Sequence, residues 1–479
     1  MIYIKLNEDN FEYDIYSLVK AFYPKEDVRI GTDEAPVDED VSFTMDVKYA
    51  DHVLTLDGKE VEIDYSNRPD TKNRLKLAIY KSLSERTGKT LPWGTLTGIR
   101  PTKISLGMIE EGASDDEITS YMKDTYLTSQ EKIDLSLEVS HKEHELLSKI
   151  DYDNGYSVYI GIPFCPSTCL YCSFTSYPIG LWMKKLDDYI DALEKEMAFT
   201  AEACRGKSLT TIYIGGGTPT SLDAEHLERL LSLIDKYFDT KSLLEYTIEA
   251  GRPDSITYEK LQVMKNHPVS RISINPQTMN QKTLDLIGRF HKVEDIHRVY
   301  GWAKELEFGN INMDLILGLP GETIEDVQYT LSEVEKLSPD NLTVHSLALK
   351  HSARLNYDKE AYEDYLVENS QKHMDICLEA ARRMDMEPYY LYRQKNMAAN
   401  LENIGYAKEG KEGLYNILIM EEKQTIMALG CGTACKFVTD HGKTVTRCEN
   451  VKDVQLYMDR IDEMIERKRE RLREDLKWL

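Results

Sequence analysis

Residues 159 to 174 read Tyr-Ile-Gly-Ile-Pro-Phe-Cys-Pro-Ser-Thr-Cys-Leu-Tyr-Cys-Ser-Phe. Cys165, Cys169 and Cys172 form a C-x3-C-x2-C array directly after the apolar run Val158 to Phe164, in which Pro163 is incompatible with a helix interior. The array is therefore expected on a loop at the end of a buried strand. Three thiolates this close can hold three irons of a [4Fe–4S] cluster, and the fourth iron is left without a nearby protein ligand. An open iron can bind a substrate or a cofactor. The alternatives are a zinc site, which would want a fourth Cys or His at short spacing where none follows, and buried free thiols.

The surrounding chain narrows the setting. Its 479 residues allow roughly three domain-sized units, or one large barrel with appendages. Lys+Arg number 59 against Asp+Glu 83, a net charge of −24, with the basic residues interspersed among acidic ones. Nucleic acid is thus not expected as a partner, since phosphate binding needs a concentrated basic surface. An anionic small molecule remains compatible if basic groups gather in one pocket. The first residues, Met1 to Asn10, show no basic stretch followed by an apolar one, and no apolar run reaches about 18 residues, so no membrane span and a cytoplasmic location are expected. Eight cysteines in such a chain point to metal or redox chemistry before a disulfide framework.

Working outward, residues 1–150 read as an N-terminal α/β module. Val53–Leu56 and Val61–Asp64 flank Asp57-Gly58, a hairpin signal, and Ser114-x-x-Glu117 and Thr128-x-x-Glu131 read as helix capping boxes. Between them Leu91–Lys103, carrying Trp93, reads either as a substrate lid or as a surface loop packing Trp93 on its own module. Residues 151–351 alternate short apolar strands, near Ser157–Ile162, Thr210–Ile214, Glu245–Glu249, Arg271–Asn275, Asn312–Ile316 and Leu342–Leu347, with helical stretches such as Leu186–Thr200 and Ala224–Tyr237. Six β-then-α units predict a parallel sheet, barrel-like or doubly wound, and are too few for a closed eightfold barrel. Residues 352–479 read as a C-terminal α+β domain covering the substrate: a helical segment Lys359–Met386, apparent β structure, a Gly-rich turn at Leu429–Cys435 and a charged helix Val451–Leu479, whose tract Arg467–Arg473 reads as a solvated face.

Gly215-Gly216-Gly217-Thr218-Pro219-Thr220 follows the second strand. Glycine allows close approach of a ligand, and exposed N–H groups in such a turn can hold a carboxylate or amino acid head group. It lacks the Lys of a G-x4-G-K-[ST] P-loop. Polar groups recur at other strand ends: Glu249, Gln277 and Asp314 offer acceptors for hydroxyls or a sulfonium, with Arg289 as a carboxylate clamp. Cys431, Cys435 and Cys448 read as a second metal site or as buried free cysteines.

Taken together, Tyr159-x3-Pro-Phe-Cys-x3-Cys-x-Tyr-Cys-x-Phe174, Gly215–Thr220, Arg271-Ile-Ser-Ile-Asn-Pro-Gln277, Gly288-Arg-Phe-His291 and Asn312–Gly321 resemble the radical S-adenosylmethionine (radical SAM) family of oxygen-independent coproporphyrinogen III oxidases, or dehydrogenases. The long N-terminal module and Tyr390-Leu-Tyr-Arg-Gln-Lys-Asn through Tyr406 are similar to its HemZ-type branch. The resemblance implies an open radical SAM (β/α)6 partial barrel. It implies a [4Fe–4S] cluster on Cys165, Cys169 and Cys172, with S-adenosylmethionine on the open iron. It further implies first-site contacts from Tyr159, Tyr171, Gly216 and Glu249, and second-site contacts from Gly217, Thr218, Gln277, Arg289, Asp314 and Ala348. The implied reaction is oxidative decarboxylation of two propionates of coproporphyrinogen III to vinyl groups, giving protoporphyrinogen IX in heme biosynthesis, with a reduced flavodoxin- or ferredoxin-like electron donor.

Two positions depart from the well-studied oxidases: Gly161 stands where they carry histidine, and Phe174 where they carry a fourth cysteine. The heme carriers of the family also have Phe at the latter position, but their later His-Asn…Tyr-Trp element is absent here. A heme or porphyrin carrier, and a radical SAM enzyme modifying another tetrapyrrole such as heme, therefore stand beside the oxidase. The four carboxylates of coproporphyrinogen call for basic partners, of which Arg393, Lys395, Arg100 and Lys103 are the candidates.

Overall fold

The computed structural model describes residues 1–33, 40–98, 100–348, 353–357, 370–393 and 401–478. Lys395 and residues 359–369 of the expected helix Lys359–Met386 lie outside them.

The first ninety or so residues build their own small core. Ile2–Leu6 runs parallel to both Val28–Gly31 and Phe43–Tyr49, and Val53–Leu56 and Lys59–Glu62 continue the sheet as an antiparallel hairpin. Asp57 and Gly58, at φ 48° and 81°, supply the two left-handed positions a two-residue turn demands. Helices Glu12–Phe22 and Arg68–Thr87 cover this sheet, burying Leu18, Leu75 and Ile79 against Ile4 and Val47. The next helices, Thr102–Glu110, Asp115–Tyr126 and Gln130–Leu147, leave that core, and Ile118, Met122, Ile133 and Val139 join the main one. Ser114 forms its capping box with Glu117. The following helix starts one residue later than Thr128-x-x-Glu131 suggests: Ser129 is the cap, its hydroxyl accepting from the Lys132 N–H.

The main sheet has eleven strands. In chain order they are β1 (Gly155–Ile162), β2 (Ser208–Gly216), β3 (Glu245–Gly251), β4 (Arg271–Ile274), β5 (Ile311–Leu317), β6 (Asn341–Ser346), β7 (Glu387–Tyr392), β8 (Asn403–Ala407), β9 (Thr425–Leu429), β10 (Ala434–Thr439) and β11 (Thr444–Glu449). Strands β1 to β6 are parallel neighbours in chain order, as a run of β-α units requires. The C-terminal segment then extends both edges of this sheet. On one side β8 adds antiparallel to β6 and β7 antiparallel to β8, and on the other β9 adds parallel to β1 and carries the β10–β11 hairpin.

Alternation along the strands sorts the side chains. Val158, Ile160, Ile212, Ile214 and Ile248 are buried in the main hydrophobic core. On the opposite face Ser157, Thr211, Tyr213, Thr247, Ser273, Asn312 and Thr343 form a hydrogen-bonded polar lining. Helix Leu414–Glu421 seals this interior: the Glu245 carboxylate accepts from the Leu414 and Tyr415 N–H groups at its N-terminus. Tyr415 stacks on Tyr213, ring centroids 4.5 Å apart, and Tyr159 lies 6.1 Å from each. Among the described residues no helix is long and apolar enough to cross a membrane.

The C-terminal helical stretch is broken into Val454–Asp459 and Ile461–Arg471, and its basic tract is more than a solvated face. Lys468 is fully buried and ion-paired with the equally buried Glu196, which also accepts from the Gly430 N–H (2.7 Å), Tyr457 Oη (2.6 Å) and Asn450 Nδ2 (2.9 Å). Removing one partner leaves an uncompensated buried charge, a loss of about 3–5 kcal/mol. Lys468→Met should lower the urea midpoint of the main unfolding transition accordingly, and a loss below about 1 kcal/mol would show that Glu196 finds another counter-charge.

Candidate functional site

The cysteine loop begins where Pro163 ends β1. Phe164–Cys165 pairs with Tyr177–Pro178, so the two ends of the loop are zipped together and residues 166–176 stand over the C-terminal end of the sheet. Leu170, between the second and third cysteines, is buried with Ile287, Ile316, Leu319 and Leu355. Its N–H donates to Ile287 O (2.9 Å), and its carbonyl accepts from the Leu355 N–H (3.0 Å). The Cys172 N–H closes onto Cys169 O at 3.2 Å. Cys165 and Cys169 are buried, while Cys172 is partly exposed.

The Gly-rich turn after β2 is joined directly to this loop. The N–H groups of Gly217 and Thr218 donate to Ile162 O (2.8 Å) and Phe164 O (2.7 Å), and the Thr218 hydroxyl lies 3.4 Å from Cys165 Sγ. A Cβ at position 217 would sit 2.6 Å from Phe164 O and 2.9 Å from Cys165 Sγ, so only glycine admits the contact. Those two N–H groups hold the cysteine loop and are not free for a ligand head group. What the turn offers a ligand is close approach.

Burial pushes the Cys165 thiol up to about 11 and raises that of Cys172 as well. Both thiols hold their protons near neutrality, and metal binding must displace them. Among the described residues no three His, Cys, Asp or Glu side chains are placed to hold a metal ion. A [4Fe–4S] cluster makes a different demand, because each thiolate binds its own iron. The all-sulfur donor set and the side-chain-free contact at Gly217 fit such a cluster.

Below the turn, Glu249 of β3 accepts from Tyr213 Oη at 2.6 Å. Burial raises its carboxyl to about 7, with Asp314 pushing the same way and Tyr213, Arg271 and His345 opposing. Burial also pushes Asp314 upward, but His345 and Asn312 outweigh it and hold the group below its ordinary value. Asp314 accepts from Asn312 Nδ2 (2.7 Å) and lies 3.9 Å from His345 Nε2, while His345 Nδ1 is 3.2 Å from Tyr392 Oη. Two neighbouring carboxyls thus titrate apart.

The expected site residues fall into connected groups. Tyr159 and Glu249 both meet Tyr213, Gly217 and Thr218 abut Cys165 while Gly216 lies against the Ile162 backbone, and Tyr171 Oη accepts from Arg289 Nη1 at 3.0 Å. Arg289 also donates to Asn275 O (2.6 Å), while its buried Nε has no partner among the described residues. Gln277 has a left-handed backbone, φ 68°, bridges β5 through the Asp314 carbonyl (2.9 Å) and buries an Oε1 that has no partner among the described residues. Ala348 lies half-buried just beyond β6. A Cβ at Gly161 would come 2.6 Å from Thr433 Cγ2, so the place of the oxidases' histidine is filled by the C-terminal turn.

Two substrate-binding candidates serve as fasteners instead. Arg393 Nη1 donates to Leu96 O (2.6 Å) beside the buried Trp93, whose Nε1 donates to Glu402 (2.7 Å). Arg100 holds Met420 O (2.7 Å) and Glu422 (3.0 Å). The described residues of Leu91–Lys103 therefore join both cores: Leu91 packs in the small N-terminal core, while Trp93 is buried in the main one together with Ile118, Met122 and Ile133 of the helices that follow it, and the Ser129 N–H donates to Pro92 O (2.9 Å). Lys103 is exposed. Cys431 donates to Lys452 O (2.9 Å), and Cys435 meets the Ala428 N–H (3.2 Å) with Cys448 opposite it on the partner strand. Sequence reasoning missed Arg252, His345 and Tyr392; a charged residue just past a strand's C-terminal end and a polar residue in alternation on β6 were the available signals.

Residues 159–334 match the radical SAM superfamily. The chain is 36% identical to the oxygen-independent coproporphyrinogen-III oxidase-like protein HemZ of Bacillus subtilis, over 97% of this chain and 96% of that protein. It is 33% identical to the heme chaperone HemW of the same organism, over 64% of this chain and 76% of that one. The solved structure of coproporphyrinogen III oxidase (HemN) from Escherichia coli, a radical SAM enzyme, shares the fold at a TM-score of 0.53 and 23% identity, covering 67% of this chain and 72% of that one. The chain belongs to the radical SAM family of oxygen-independent coproporphyrinogen III oxidases, in its HemZ-like branch.

Proposed function

We propose that this chain is a cytoplasmic radical SAM enzyme that converts propionates of coproporphyrinogen III to vinyl groups, drawing electrons from a reduced flavodoxin- or ferredoxin-like donor. The observation that carries the reading is the junction of Cys165 with the Gly217–Thr218 turn above the polar rim of Glu249 and Asp314. The near full-length likeness to an oxidase-like relative supports the choice of substrate. A second reading, a heme carrier on the same frame, is favoured by the heme chaperone likeness and by Phe174.

In this account Cys165, Cys169 and Cys172 hold the cluster. The cluster and S-adenosylmethionine, when bound, would supply the hydrogen-atom abstraction needed at the propionate β-carbon. The chain's part is to bind, orient and exclude water. Tyr159, Tyr171, Gly216 and Glu249 line the cofactor position, and Gly217, Thr218, Gln277, Arg289, Asp314 and Ala348 a neighbouring one that can take a second S-adenosylmethionine. Glu249 answers the cationic amino group of the cofactor only when ionised. Of the basic candidates, Lys103 and Lys395 remain for the substrate carboxylates, since Arg100 and Arg393 are engaged inside.

The deciding assay is anaerobic: cluster-reconstituted protein, reductant, S-adenosylmethionine and coproporphyrinogen III, with 5′-deoxyadenosine and porphyrin products followed by mass spectrometry. Protoporphyrinogen IX with matching 5′-deoxyadenosine is expected. Cofactor cleavage without decarboxylation would overturn the substrate, and heme binding without turnover would favour the carrier. A second expectation concerns pH. Glu249 is a carboxylate above about 7 and neutral below it, so affinity for S-adenosylmethionine should strengthen as pH rises through that value. Below it the Kd should rise about tenfold per pH unit. Glu249→Gln should flatten the profile, and an unchanged profile would remove Glu249 from the cofactor site.

A further inference from the structure

Arg252 follows the last residue of β3, and its guanidinium reaches under the cysteine loop. Nη1 donates to Ser167 O (3.0 Å) and Ser167 Oγ (2.9 Å) and lies 3.6 Å from Cys169 Sγ, within hydrogen-bond range for sulfur. Nε and Nη2 grip the Asp254 carboxylate at 3.0 and 2.6 Å. The residue is only 4% exposed, so its charge is fixed in place and poorly screened. Of the three cysteines only Cys169 has an arginine within hydrogen-bonding distance of its sulfur among the described residues.

We propose that Arg252 is a positioning residue that sets the reduction potential of the cluster, through a charge-assisted N–H···S hydrogen bond to Cys169 whose strength Asp254 moderates. The inference rests on the reading of Cys165, Cys169 and Cys172 as cluster ligands. One electron from an external one-electron donor adds a negative charge to the cluster, and no bond is made or broken at Arg252. A cation and a hydrogen bond at a ligating sulfur favour the more negative, reduced form, so the potential is raised. The carboxylate of Asp254 offsets part of that charge and lowers it again. The two residues therefore act in opposite directions, which a merely structural anchoring of Ser167 would not produce.

The test is a redox titration of the reconstituted full chain followed by electron paramagnetic resonance, with iron counted per chain. Arg252→Met should lower the ratio of reduced to oxidised cluster at a fixed poise about tenfold, a downward shift of ~59 mV for a one-electron couple. Arg252→Lys, which keeps the charge and loses the fork, should shift less. Asp254→Asn should move the potential upward. Unchanged potentials, or a Met and an Asn variant shifting the same way, would overturn the proposal with the cluster reading intact. If Arg252→Met fails to hold iron, the directions of the Lys and Asn variants decide. A parent chain that binds no [4Fe–4S] cluster would instead overturn the reading on which the inference rests.

Discussion

The site depends on one close approach. At position 217 the backbone runs so near Phe164 O and Cys165 Sγ that a single added carbon would overlap both, and two N–H groups from the same turn tie down the strand end that launches the cysteine loop. A cluster needs three sulfurs held in fixed relation to one another and to whatever occupies the open iron. The chain achieves this by fastening the loop at both ends and at its middle: Gly217 and Thr218 at the start, the short ladder to Tyr177–Pro178 at the return, and Leu170 wedged among Ile287, Ile316 and Leu355 between. The first and last of these come from distant parts of the chain, the turn after β2 and the residues around Ile287, Ile316 and Leu355, so the loop's geometry follows from the sheet that carries it.

The C-terminal segment bears on that geometry through charge. It reaches both edges of the parallel sheet, and buried ions hold it there: Lys468 on Glu196, Lys132 on Glu402 beside Trp93, and Glu245 under the helix that seals the interior. Buried pairs of this kind are weak sources of stability when intact, because desolvation cancels much of the attraction, yet costly to break. Their effect is to specify one docked arrangement. In that arrangement Thr433 fills the space over Gly161, and the Leu91–Lys103 stretch is pinned beside β8 by Arg393, Arg100 and Trp93.

Much of this was legible in the chain. The six parallel strands could be read because each is a short apolar run bounded by turns and followed by helical periodicity, and observed and expected bounds differ by at most two residues at either end. The cysteine loop, the Gly-rich turn and the acidic rim were legible because their residue types have few other uses at strand ends. What could not be read was long-range. Nothing local in Thr425–Leu429 says that it will pair in parallel with β1, more than 260 residues earlier, and nothing in Arg467–Arg473 marks Lys468 as the one cation that turns inward. Arg393 and Arg100 looked like substrate ligands because an exposed and a docked arginine have the same sequence. The Thr128 cap failed by one residue because Thr128 and Ser129 are both good caps, and packing chose between them.

Everything proposed for this chain requires that Cys165, Cys169 and Cys172 carry a [4Fe–4S] cluster with one iron open to S-adenosylmethionine. The most direct test is the electron paramagnetic resonance spectrum of the anaerobically reduced chain, recorded without and with S-adenosylmethionine. A reduced [4Fe–4S] signal is expected whose g-values change when S-adenosylmethionine is added, with that response lost on replacing Glu249 by Gln at neutral pH. A signal indifferent to S-adenosylmethionine, or a chain holding zinc and no iron, would contradict it.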